Sequence, residues 1–557
     1  MDFPVEYKMS GGRILVNEDA FAMETEGLTV FSFPVQCQIP VDGRRDEDQV
    51  LSRPEISWDG DSLHVRWYAG SKAWLEKTYL LDIYPDGFYF RIKAAGSGRP
   101  EAVRFFTGDP EAKFPGAAYE PAGYALPEAA YCDGPRMTRL INQDGSLAMG
   151  FMTPPSFVFP FWTEGISQWT GIGLVAEGGQ HNFHRFHYKN HNNRCHFEVS
   201  LDGRTEVDGE WVTPGIWGGF GAGAADIVRG YSSFYYDHKL CKEGPAKKYR
   251  WWKGPFYCGW GDQGHVGGGQ GNQAKEWATQ AFYEKMSDRL DELDLHPTAM
   301  IIDDKWQGKY GELLPDPGKW PDMRAFVDGQ HAKGRKVVLW VKVWNGEGLD
   351  EDECIVLRHQ PYVADPTNPK YRKRIFETVR RLLSDEAGCY NCDGFKLDFV
   401  NCVLIHPEMR IYDKKVYGME LVKTMLRLFY DAAKAVKPDA LINNSCGHPY
   451  FAEVCDQARL HDYGDSMRSM MPIMEYRKSM FSAALPNALI DTDSANHSNY
   501  REAKEYCMRA RELGVPDIYM IHDSDECVFS DRDWADIRQV WEDYARCMDA
   551  EEHEEKE

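Results

Sequence analysis

"CDGFKLDFVN", residues 392–401, is the stretch on which the reading of this chain turns. Lys396 and Asp398 interrupt an apolar run. Successive side chains of a strand alternate between faces, so Lys396 and Asp398 share one face and Phe395, Leu397 and Phe399 share the other. The apolar face is suited to packing. The other carries a cation and a carboxylate, which are costly to desolvate unless paired. A structural ion pair and a reactive carboxylate both satisfy this pattern, so the surrounding sequence has to decide.

Outward from this stretch, apolar strands alternate with helical patterns. The eight strand candidates are 255–260, 298–303, 336–344, 394–399, 440–444, 457–462, 487–491 and 516–522. In "NPKYRKRIFETVRRLL", Pro369 suits a first helical turn and Ile375, Val379 and Leu382 fall on one face. In "GMELVKTMLRLFYDAAKAV", Leu421, Met425, Leu428, Phe429 and Ala432 recur at helical spacing. Eight β/α units in roughly 300 residues predict a (β/α)8 TIM barrel, an α/β fold. An open doubly wound sheet is the alternative, but no dinucleotide motif supports it. In a barrel, Lys396 and Asp398 point inward at the C-terminal mouth, where such enzymes place their chemistry.

The first 225 residues have a different rhythm. "DSLHVRWYAG" and "KTYLLDIYPDGFYFRIKAAG" alternate apolar and polar residues and are punctuated by turns such as Pro85-Asp86-Gly87 and Asp202-Gly203. They predict an N-terminal antiparallel β-sandwich, followed by the helix "AADIVRGYSSFYYDHKL" and a polar linker. The expected division is 1–245 for the sandwich with its linker helix and 246–557 for the barrel.

Net charge is −23, which argues against a nucleic-acid backbone or an anionic membrane surface as partner. No apolar run reaches the roughly 18 residues of a membrane span, and no secretory signal pattern opens the chain. The 14 scattered cysteines fit reduced thiols and a cytoplasmic location. Cys389 and Cys392 form one CxxC without a second pair at zinc-binding spacing, so they read as core thiols. His406, His448 and His461 show no paired ligand spacing and read as polar contacts. No metal and no cofactor is expected. Composition leaves a homo-oligomer open.

Carboxylates stand at several predicted strand ends: Asp303-Asp304 on strand two, Asp398 on four, Asp462 and Asp465 on six, Asp491 and Asp493 on seven. A single acid there is usually a cap or turn former. Several on one rim repel one another unless a substrate, a metal or cations such as Lys396 hold them. Strand three adds Trp340, Lys342 and Trp344 on one face. Acids bind hydroxyl groups and tryptophan covers an apolar ring face, so the rim suits a polyhydroxylated ring and an oligosaccharide or glycoside partner. Glycoside hydrolysis needs two carboxyls flanking the scissile bond. Asp398 beside Lys396 should stay anionic, as a nucleophile must. The second carboxyl belongs on another strand; Asp462 is the choice, with Asp465 as its competitor.

The motifs "IIDDKW" (301–306), "LWVKVW" (339–344), "GFKLDF" (394–399) and "HDYGDSM" (461–467) resemble the retaining α-glycosidases of glycoside hydrolase clan D, most closely the α-galactosidases of family 36. The resemblance covers about 250–550. It implies Asp398 as nucleophile, Lys396 as a sugar contact, Asp462 as acid/base, and Asp303 and Asp304 on sugar hydroxyls, with Trp306 beside them. Lys305 replaces the family's glycine after the paired acids. The family's strand-five arginine is missing from "NNSCGHPYF", which carries Cys446; Arg459 is the candidate to take its place. The family's C-terminal β-domain is also missing. "GFKLDF" and "DPTNPKY" look equally like the family 31 α-glucosidases and α-xylosidases, the runner-up. A transglycosylase, a silent sugar-binding protein and a metal-dependent barrel enzyme are the remaining readings.

Overall fold

The computed structural model describes residues 2–107, 118–119, 125–127, 157–163, 165–191, 194–269, 272–400, 403, 405–460, 470–493, 500–523 and 527–554. Two antiparallel sheets build the front of the molecule. One runs through residues 5–34 in four consecutive strands and continues to strands 194–200 and 102–105. The other centres on Ser62–Ser71, Glu76–Tyr84, Gly87–Gly98 and Gly215–Gly221. Alternation dictates their packing. Leu63, Val65, Trp67 and Ala69 are buried while Arg66 and Tyr68 between them are exposed. Phe21 of the first sheet meets Phe88 and Phe90 of the second at 5.1 and 5.8 Å between ring centroids. The expected sandwich is therefore present.

Eight parallel strands form the second part. We number them β1 (Phe256–Cys258), β2 (Ala299–Ile302), β3 (Lys336–Lys342), β4 (Gly394–Asp398), β5 (Leu441–Asn444), β6 (Gln457–Arg459), β7 (Leu489–Asp491) and β8 (Asp517–Ile518). Each pairs with its sequence neighbour, and β8 returns to β1. The ring closes through a parallel bridge between Asp491 and Val515, where Val515 N donates to Ile490 O at 2.7 Å. All eight predicted strands are present but shorter. The predicted strand 516–522 keeps only two ladder residues. Among the described residues no helix is long and apolar enough to cross a membrane.

The helices sit where apolar spacing places them. Asn368 caps helix Pro369–Leu383 by accepting from Lys370 N at 2.8 Å, and Ile375, Val379 and Leu382 are buried. Helix Gly418–Val436 buries Leu421, Met425, Leu428, Phe429 and Ala432. Phe395 points outward from β4 to Phe429, 6.1 Å between centroids. The sandwich is fastened to the barrel through helix Ala224–Asp237, where Tyr231 OH lies 2.9 Å from His448 Nε2, and through Tyr417 OH, which donates to Asp202 at 2.7 Å.

The barrel interior changes character from bottom to top. Trp252, Phe256, Ala299, Ile301, Val338, Leu441 and Val515 form an apolar floor. Above it stand polar side chains: Lys396, Asn443, Gln457, Asp491 and Asp517, all buried. Asn443 Nδ2 donates to Gln457 Oε1 at 2.9 Å and to Asp491 Oδ2 at 2.6 Å. Burial, and then Asp493, push the Asp491 carboxyl up to about 6. Burial, and then Asp491, push Asp517 upward as well; its two oxygens have no hydrogen-bond partner among the described residues.

β4 enters the barrel on a charged anchor. Asp393 accepts from Val337 N at 2.9 Å and from His331 Nε2 at 2.6 Å, and pairs with Lys336 and Lys437, each at 3.1 Å. Burial alone would raise this carboxyl; the His331, Lys437 and Lys336 donors outweigh it and hold it at about 2. A Cβ at the adjacent Gly394 would stand 2.3 Å from Leu441 O, so only glycine lets β4 and β5 approach.

Two predictions follow from the barrel. Asp393→Ala leaves three partly exposed basic groups and the buried Val337 amide without their carboxylate, and should cost about 3 kcal/mol in urea unfolding. A loss within 0.5 kcal/mol (about the effect of an ordinary surface substitution) would show that the anchor contributes nothing. The second concerns Asp491. An unfolded aspartate titrates near 4. Between about pH 4 and 6 the folded chain thus holds a proton that the unfolded chain has released. This stability is complete below the unfolded value and is lost as pH rises through about 6. The stability of Asp491→Asn relative to wild type should therefore rise by on the order of 2 kcal/mol between about pH 4 and pH 7. A pH-independent difference would place the proton elsewhere.

Candidate active site

The C-terminal ends of the strands bring most of the predicted acids together. Asp398 ends β4. Its Oδ1 accepts from Arg459 Nη2 and from Phe399 N, both at 2.8 Å, and its Oδ2 accepts from Trp340 Nε1 at 3.0 Å. Trp340 and Lys396 are cross-strand partners, as are Lys342 and Asp398. The inward face of β3 therefore lies beside that of β4. Arg459, fully buried on β6, extends its other terminal nitrogen to Asp493 Oδ2 at 3.2 Å.

Lys396 serves different acids from the one expected. Its Nζ lies 3.2 Å from Asp303 Oδ2 and 3.8 Å from Asp493 Oδ1, and donates to Tyr519 OH at 2.7 Å. Burial would lower its pKa, but Asp303, Cys258 and Asp493 raise it well above the ordinary lysine value. The cation on Asp398 is Arg459. Two residues along a strand advance by roughly 6.6 Å, so Lys396 and Asp398 share a face at different depths.

The paired acids after β2 also divide. Asp303 faces Lys396 and takes the Cys258 thiol at 3.1 Å. Asp304 accepts from Tyr310 OH at 2.7 Å and lies 3.6 Å from Lys275 Nζ. Burial is the main cause raising the Asp304 carboxyl. Side-chain exposure separates these groups: 15 % for Asp398, 8 % for Asp304, 4 % for Asp303 and none for Asp493. Of these four, Asp398 is the most open to a ligand, and three donors hold it.

Three predicted binding residues have structural surroundings. Trp306 is fully buried and donates to Trp340 O at 2.8 Å. Trp344 lies beyond the end of β3, buried, and donates to Val400 O at 2.7 Å. Cys446 is buried in the hydrophobic core, and burial raises its thiol pKa. Lys342 stands at the mouth, 4.5 Å from the Phe399 ring and 5.4 Å from that of Tyr310. Asp462, Asp465 and His461 lie outside the described residues. Among the described residues no group of three His, Cys, Asp or Glu side chains is placed to hold a metal ion.

Several site residues were missed by sequence reasoning. Phe399, expected to face the helices, has φ +56° and breaks the alternation at the strand end. Its ring is partly exposed and meets Trp340 edge-on at 6.1 Å. No periodicity signals such a reversal. Tyr519 could have been found: the two-residue spacing applied to β4 also links Asp517 and Tyr519 in "PDIYMIH". Tyr310 sits in a loop with no period to read.

No family model matches the chain, and no curated protein matches it. Solved structures do. A GH36 alpha-galactosidase from Geobacillus stearothermophilus, in complex with raffinose, aligns at TM-score 0.55 and 11% identity over 98% of this chain and 86% of that one. An alpha-galactosidase from Lactobacillus brevis aligns at 0.52 and 12%, over 98% and 83%. The cycloalternan-degrading enzyme from Trueperella pyogenes, in complex with a covalent intermediate, aligns at 0.52 and 14%, over 96% and 82%. At these identities the likeness is one of fold: this chain shares, over nearly its whole length, the sandwich-and-barrel architecture on which these glycoside-processing enzymes are built.

Proposed function

We propose that this chain is a retaining α-glycoside hydrolase, α-galactosidase-like in its chemistry. The observation that carries the reading is Asp398: an accessible carboxylate at the barrel mouth, oriented by Arg459, Trp340 and its own strand-end amide. Its surroundings suit a nucleophile. A guanidinium favours the anion, and the three donors fix the direction of its lone pairs. The fold likeness to proteins described as alpha-galactosidases and a cycloalternan-degrading enzyme, the latter with a covalent intermediate, supports the same chemistry.

The reaction is a double displacement. Asp398 attacks the anomeric carbon while Asp462 donates a proton to the departing glycosidic oxygen, and the bond to that oxygen breaks. Carboxylate charge is consumed as the glycosyl ester forms, and Arg459 remains neutralised by Asp493. Water, losing its proton to Asp462, then attacks the same carbon and frees Asp398 with net retention. This route requires the two carboxyls about 5–5.5 Å apart. Asp304 and Lys396 are assigned to sugar hydroxyls and Trp340 to the ring face. Asp303, held by Lys396, sets the position of that lysine.

A panel of aryl α-glycosides tests the reading directly. Asp398→Ala should lower turnover by at least roughly 10³-fold, with partial recovery in azide. Wild-type rates in this variant would remove Asp398 from the nucleophile role. Asp462→Ala should slow glycosides with poor leaving groups far more than activated aryl glycosides; equal losses would transfer the acid role to Asp465. Arg459→Ala takes the cation from Asp398, so the acidic limb of the kcat/KM–pH profile should move to higher pH. An unmoved limb would show that Arg459 does not control the ionisation of Asp398.

A further inference from the structure

Resting on the glycosidase reading above, we infer that the sugar accepted beside Asp398 carries an anionic substituent, a carboxylate or a sulfate, and that Lys342 selects it. Each acid at the described mouth already has its own partner. Asp398 takes Arg459, Asp303 takes Lys396, and Asp304 takes Tyr310 OH and Lys275. Lys305, the third ammonium grouped around the Tyr310 ring, is paired with Glu347 at 3.0 Å.

Lys342 is different. Among the described residues its ammonium makes no hydrogen bond and no ion pair. It rests over the faces of Phe399 and Tyr310 and is only partly buried. Its backbone is the cross-strand partner of Asp398, and its ammonium lies over the ring of Phe399, the residue that follows Asp398. Aromatic faces hold an ammonium without neutralising it. Asp304 acts on this ammonium only at a distance, without an ion pair; a neutral sugar hydroxyl would leave it without a direct anionic partner, whereas a carboxylate or sulfate would complete a charge-assisted contact. Lys275 and Lys305, grouped around the same ring, are each paired with an acid, which leaves Lys342 as the cation of this group that a ligand anion would meet.

The test uses the intact chain and matched aryl α-glycosides: a neutral hexoside, the corresponding uronide and the corresponding 6-sulfate. A kcat/KM at least roughly tenfold higher for the uronide or the sulfate than for the neutral hexoside is expected. The better of the two identifies which anion is used. In Lys342→Gln the ratio of anionic to neutral kcat/KM should fall by roughly tenfold or more, and Lys342→Arg should retain it. Salt should depress the anionic rate more than the neutral one. Turnover of the neutral hexoside alone, or a ratio unchanged in Lys342→Gln, would overturn this inference and leave the glycosidase reading standing. No turnover of any member would overturn that reading, and this one with it.

Discussion

Arg459 joins Asp398, which faces the mouth, to Asp493, which does not see solvent at all. The site depends on this bridge because the barrel interior gathers more carboxyl groups than cations. Asp303, Asp398, Asp491, Asp493 and Asp517 converge there on two cations, Lys396 and Arg459. Burial raises the carboxyls of Asp491 and Asp517, so these hold protons more tightly than an exposed aspartate. Lys396 is shared by Asp303 and Asp493, and Arg459 by Asp493 and Asp398, of which Asp398 lies nearest solvent. A buried ion pair is weak evidence for stability, since its desolvation offsets its attraction. Here the pairs explain position instead: they decide which acid faces the mouth.

The layering of the barrel follows from the same economy of charge. Apolar side chains fill the floor around Trp252, where no chemistry is expected of a barrel. Polar groups begin one layer higher and are cross-linked between strands, as in the Asn443–Gln457–Asp491 contacts. The mouth then receives side chains from six different strands or their ends, each fixed by a partner on another. Its precision comes from strands and its composition from loops such as the one that carries Tyr310. The sandwich supports the barrel through Tyr231 and the Asp202 turn and contributes none of the mouth residues described above.

Much of this was open to reading from the sequence. Eight apolar segments separated by helical periods specify a barrel because parallel strands need crossovers, and helix and strand periods differ. The same alternation marks Lys396, Asp398, Trp340 and Lys342 as inward. The candidacy of Arg459 came from the family resemblance, as a replacement for the missing strand-five arginine.

Pairing was another matter. Alternation gives the face of a side chain and says nothing of its depth or of what stands opposite across the barrel. Hence Lys396 was matched with Asp398, two residues away, when its partners come from β2, β7 and the end of β8. Trp306 and Trp344 have the composition of sugar platforms, yet their indole N–H groups satisfy backbone carbonyls inside the wall. Phe399 left the packing face because one backbone turned to positive φ at the strand end. The order of apolar and polar residues thus determined the barrel and which side chains enter it. Which charge neutralises which was decided only when closure brought distant strands within hydrogen-bond reach, because electrostatic partners are chosen by distance in space and a linear chain carries no record of it.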